Sequence, residues 1–171
     1  MKKQKLLFTK KLFGFLLALV MVCSLIPLMP QQVKAAADGF YTNGTSIYDA
    51  NGNKFIMRGV NIAHAWYPNE TETSIKAAAG KGANCVRIVC SDGKQYTKTT
   101  ASELQKIIDT CKQNKVVAIV EVHDATGSDS TSDLNAAVDY WKEMKSIINN
   151  NRKYVIVNIA NEWYGTWDGG A

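Results

Sequence analysis

One alternation runs through the chain from residue 54 onward, and few folds accommodate it: short apolar runs separated by stretches with helical periodicity. Residues 55–63, 84–90, 116–123 and 154–160 are short, apolar and rich in β-branched side chains, as strands are. Between them, 73–81, 101–114 and 134–149 read as helices. Four strands joined by three helices pair in parallel through right-handed crossovers, which makes the chain an α/β protein. Thr100 and Glu103 have the spacing of a capping box at the start of the second helix. In the third, Leu134, Val138, Trp141, Lys145 and Ile148 fall on one face, which puts Trp141 in the core. Residues 39–53, with two Asn-Gly pairs, read as a peripheral β-hairpin.

The first 37 residues follow a different logic. MKKQKLLFTKK is basic without an acid, LFGFLLALVMVCSLIPLM is apolar, and Ala35 and Ala37 offer small-residue cleavage points. This is the pattern of a secretory signal peptide ending at Ala37, so the protein is expected outside the cell. A membrane anchor is the alternative, for which the apolar run is barely long enough. The leader holds six of the 20 Lys and Arg and none of the 15 Asp and Glu, which leaves 14 cations against 15 anions beyond it. The basic balance therefore reports on export, and a neutral partner fits better than nucleic acid or an anionic membrane. Cys85, Cys90 and Cys111 have no zinc-like spacing and read as buried thiols, with one disulfide and a leftover thiol as the alternative.

Parallel sheets and barrels keep their chemistry at the carboxyl ends of their strands. There the sequence puts Asn61 and His64, Ser91 and Asp92, His123 and Asp124, and Asn161 and Glu162. No G-x-G-x-x-G follows the first strand, which argues against a dinucleotide site. Strand parity gives Ile119, Glu121 and His123 one common face and Ile156, Asn158 and Ala160 another. Arg58, Arg87, Glu121 and Asn158 are then candidates for one buried polar network, with Glu121 an ordinary structural ion-pair partner. Glu162 stands among Trp163, Tyr164 and Trp167. An apolar setting disfavours a charged carboxylate and so prepares a general acid, while aromatic rings match the C–H faces of sugars. With Asn161, Arg87 and His123 converging on the same rim, the residues point to a glycosidase.

The segments IMRGVNIAHAWY, NCVRIV, VEVHDATGSD and NIANEWYGTW resemble glycoside hydrolase family 5, in particular its secreted bacterial endo-β-1,4-mannanase branch, from about residue 39 to the last. The resemblance implies a (β/α)₈ barrel that hydrolyses β-mannan or manno-oligosaccharides with retention, without metal or other cofactor. It implies Glu162 as acid/base, Asn161 on the sugar at the reacting subsite, Arg87 orienting the nucleophilic carboxylate, and His123 on the same subsite. His64, Trp66 and Trp163 are expected along the sugar-binding cleft. Such a barrel takes about 250 residues, and 134 follow residue 37. The expectation is therefore the first four βα units, with the acid/base but without the nucleophile that the family places after its seventh strand, and no turnover by these residues alone. A cellulase or xylanase of the same family, or a non-catalytic carbohydrate-binding half-barrel, is the alternative.

Overall fold

The computed structural model describes residues 37–164, so all of the expected leader but its last residue, and Trp167, lie outside the described residues. The chain opens with an antiparallel hairpin, β1 (Tyr41–Asn43) and β2 (Ser46–Tyr48), turned at Gly44, whose φ of 57° suits glycine. Then come β3 (Gly59–Ile62), α1 (Thr71–Gly80), β4 (Cys85–Cys90), α2 (Ala101–Gln113), β5 (Val117–Val122), α3 (Thr131–Glu143), α4 (Lys145–Asn150) and β6 (Val155–Asn158). A 3₁₀ turn at Pro68–Glu70 leads into α1. The four later strands form one parallel sheet in the order β3-β4-β5-β6, as the alternation requires.

The core lies between the sheet and its helices. Val86, Ile88 and Cys90 of β4 and Ala118, Val120 and Val122 of β5 turn to the helices and are buried, with Ile75 of α1 and Leu104, Ile108 and Cys111 of α2 against them. The opposite face carries Arg87, Val89, Ile119, Glu121, Ile156 and Asn158, as the period of two demands. Gly59 permits the close approach of β3 to β4: a Cβ there would lie 2.0 Å from the Cys85 carbonyl oxygen. The three described cysteines are free and buried, and burial pushes the thiols of Cys90 and Cys111 up to about 12, which keeps them unreactive.

Helix α2 begins where the capping box put it. Thr100 Oγ1 accepts from the Glu103 amide at 3.3 Å and the Glu103 carboxylate accepts from the Thr100 amide at 2.8 Å. Replacing Thr100 with Ala should cost about 1 kcal/mol, read as a lower thermal midpoint. The third helix differs from its reading in two respects. It breaks at Met144 into α3 and α4, and its buried stripe is Ala137, Tyr140 and Met144, one position away from the expected face. Lys145 is exposed, and Trp141 is only partly buried, packed on the core's edge with Nε1 donating to the Ile159 carbonyl at 2.8 Å. The apolar positions on the two adjacent faces are nearly equal in number, so periodicity alone did not separate them.

The first strand is shorter than expected because its leading residues serve the hairpin: Lys54 bridges Tyr48, and the Phe55 amide donates to the Ile47 carbonyl. β3 and β6 are the edges of the parallel sheet. A hollow of about 790 Å³ runs along β3 and α1. Another of about 660 Å³ runs along β6.

Candidate active site

The carboxyl ends of β4, β5 and β6 carry a ring of polar contacts. It starts at Glu121, whose side chain is wholly buried although it points to the less covered face of the sheet. Its Oε1 lies 3.0 Å from His123 Nδ1 and 3.5 Å from Arg87 Nη2. Arg87 Nη2 donates to Asn161 Oδ1 at 2.6 Å, and Asn161 Nδ2 donates to Thr126 Oγ1 at 3.0 Å. The Thr126 hydroxyl donates to the His123 carbonyl at 2.6 Å, which closes the ring. Burial pushes the Glu121 carboxyl up, while the His123 hydrogen bond and the Arg87 guanidinium pull it down, and the upward push prevails.

Backbone contacts set Asn161 and Glu162 beside this ring. β6 ends at Asn158, earlier than expected, but the chain stays against β5 because the Asn161 amide donates to the Val122 carbonyl at 2.9 Å. The Gly127 amide then donates to the Glu162 carbonyl at 2.9 Å. Glu162 takes a left-handed backbone, φ 40°, which costs a residue with a Cβ about 1 kcal/mol and is held by these bonds on either side. Its side chain is exposed. The aromatic enclosure expected from sequence is thus not formed by the described residues: Trp163 Nε1 donates to the Ser130 carbonyl at 3.0 Å, and the ring lines the hollow along β6 with Tyr164.

Trp66 and His123 do meet. Their rings are edge to face at 5.0 Å, and Tyr96 packs on Trp66 at 5.0 Å, so three rings form one cluster above the ends of β3, β4 and β5. Trp66 stays 41% exposed, so the side chain is accessible from solvent. Tyr96 is carried by the loop after β4, and that loop is shaped by Asp124. Its buried carboxylate accepts from Ser91 Oγ at 2.9 Å and from the amides of Asp92, Gln95 and Tyr96 at 3.2, 2.6 and 3.2 Å.

Two expectations need correction. His64 does not line the cleft: it is 5% exposed, with Nδ1 at 2.8 Å from Thr71 Oγ1, and so ties the end of β3 to the start of α1. Burial holds its pKa below the ordinary 6.5, which keeps the ring neutral at neutral pH. Of the four residues grouped as a polar network, only Arg87 and Glu121 meet. Arg58 is exposed on the hollow along β3, and Asn158 sits beside Glu121 in the strand register without a hydrogen bond to it. Thr126 and Tyr96 carry no sequence signal as site residues, since both lie on loops without periodicity, while Asp124, expected at the strand end, serves to shape the loop after β4. Among the described residues no three His, Cys, Asp or Glu side chains converge as a metal-binding group.

A parallel β/α sheet that gathers polar side chains and an aromatic cluster at the carboxyl ends of its strands has the layout of part of an enzyme barrel. The family model described as Cellulase (glycosyl hydrolase family 5) matches residues 48–170, and the chain belongs to that family. It is 56% identical over 133 residues to a mannan endo-1,4-beta-mannosidase of Salipaludibacillus agaradhaerens, covering 78% of this chain and 43% of that protein. The catalytic domain of a mannanase from Streptomyces sp. SirexAA-E superposes with a TM-score of 0.71 at 36% identity, over 81% of this chain and 45% of that one. A Thermomonospora fusca β-mannanase in complex with mannohexaose gives 0.70 at 42% identity, over 74% and 43%. The chain thus spans less than half the length of each of these relatives, and its four-stranded sheet corresponds to part of a (β/α)₈ barrel.

Proposed function

We propose that the protein is a secreted, retaining endo-β-1,4-mannanase, in which this chain supplies the acid/base side of the site. The observation that carries the reading is the placement of Asn161 and Glu162 at the end of β6, with the Asn161 amide held by Arg87. In this role Glu162 protonates the departing glycosidic oxygen and then takes a proton from the attacking water, while Asn161 orients the sugar. Retention requires a second carboxyl group roughly 5–5.5 Å away as nucleophile. A segment beyond this sequence supplies it, and residues 1–37 are the export signal. The mannan preference is supported by the names of the mannanase relatives described above and by the mannohexaose bound to the Thermomonospora fusca enzyme.

The test is hydrolysis by the full-length gene product of β-1,4-mannan and of cellulose, with the anomer released first followed by NMR. Faster cleavage of mannan with the β-anomer appearing first is the expected result. Preference for cellulose would move the protein to the cellulase branch, and no cleavage of either would sink the enzyme reading. Residues 38–171 alone should give no turnover. In the full-length protein Trp66→Ala should raise KM for manno-oligosaccharides several-fold, as about 1 kcal/mol of ring contact is lost.

A further inference from the structure

The ring of contacts that ends at Asn161 begins at a group for which the chemistry above has no use. Glu121 is wholly buried, and its Oε1 faces both the Arg87 guanidinium at 3.5 Å and His123 Nδ1 at 3.0 Å. A carboxylate only accepts, so with Glu121 ionised beside the guanidinium its Oε1 takes the hydrogen bond from the histidine, and Nδ1 carries the hydrogen. The neutral ring is left with Nε2 as a bare acceptor, because the hydrogen bond at one ring nitrogen decides the tautomer at the other.

We propose that Glu121 is a positioning residue that fixes His123 as its Nδ1–H tautomer and steadies Arg87 on the Asn161 amide. His123 therefore meets a sugar as a hydrogen-bond acceptor at Nε2, receiving a hydroxyl proton, and cannot donate there while neutral. Arg87 reaches from Glu121 to Asn161 Oδ1, and Thr126 returns the chain of bonds to the His123 carbonyl, so one buried carboxylate orients both groups at once. The sugar-facing half of this inference rests on the glycosidase reading; the tautomer does not.

The experiment is nitrogen-15 NMR of histidine side chains in the full-length protein, with the His123 signals identified by their loss in His123→Gln. The expected result is a protonated Nδ1 and an unprotonated Nε2 in the wild type, kept in Glu121→Gln, whose amide oxygen still accepts, and reversed in Glu121→Leu. The His64 signals, from a ring bound to Thr71, should not move and report that the variants are folded. An Nε2–H tautomer in the wild type overturns the proposal even if the leucine variant fails to fold, and so does a tautomer unchanged in a folded Glu121→Leu. Activity gives the second readout: kcat/KM on manno-oligosaccharides should fall at least tenfold in Glu121→Leu and be largely restored in Glu121→Gln. Equal activity in a folded leucine variant also overturns it. Absence of mannan hydrolysis by the wild type would instead remove the mannanase reading and leave the tautomer measurement to decide the role of Glu121.

Discussion

On the mannanase reading, Glu162→Gln in the full-length protein should lower kcat on β-mannan by about 10²–10⁴-fold, the usual contribution of a positioned general acid/base. The amide keeps the size and most hydrogen bonds of the carboxyl but has no proton to give to the leaving oxygen and no lone pair basic enough to activate water. Two further outcomes separate this from damage to the fold. An aryl β-mannoside with a good leaving group needs no protonation, so its first step should be nearly unimpaired while the second becomes slow. A small anion such as azide, which attacks without a general base, should then restore turnover. Because Glu162 is exposed, stability should change by no more than about 0.5 kcal/mol. A loss of less than tenfold on mannan would remove Glu162 from the acid/base role.

Arg87→Ala should be the most damaging single change to the site's framework. It leaves the buried Glu121 carboxylate without its nearest fixed cation and Asn161 Oδ1 without its donor. Removing one partner of a buried pair costs about 3–5 kcal/mol, and the lower end applies because Arg87 keeps 24% of its side chain exposed. The pH dependence gives the sign. Burial already raises the folded-state pKa of Glu121 above its ordinary 4.5, and losing Arg87 removes one of the influences that oppose this. A carboxyl with a raised folded pKa contributes full stability below its unfolded value and loses it as pH climbs through the folded one. The penalty of Arg87→Ala should therefore shrink as pH is lowered from 7 toward 4.5, measured by denaturant midpoints of the two proteins. A penalty constant across that window would mean that Glu121 is not charged there, and that the damage comes from lost packing alone.

Much of this site was readable in advance, and the reason differs by residue. Arg87, His123 and Asn161 were expected on one rim because a period of two and a strand's end place them without any knowledge of tertiary contacts, and the structure joins them in one ring of contacts. The same argument failed for Arg58, which precedes β3 and by the register falls on the face opposite Arg87, and for Asn158, which pairs with Glu121 along the strands without a hydrogen bond to it. His64 misled because a strand-end histidine looks the same in sequence whether its ring faces a cleft or, as here, a threonine seven residues on.

Local order was written in the chain itself: the βα alternation, the Thr100–Glu103 cap and the apolar outer faces of β4 and β5 follow from spacing and steric preference over a few residues. What tertiary structure alone decided is which polar groups touch. Arg87 and Asn161 are 74 residues apart, and their 2.6 Å bond exists only because parallel pairing brings the ends of β4, β5 and β6 side by side. Thr126 enters the ring, and Tyr96 the aromatic cluster, through loops shaped by single bonds such as those to Asp124. Such contacts depend on angstrom-scale placement across distant segments, whereas periodicity records only which side of its own element a residue faces.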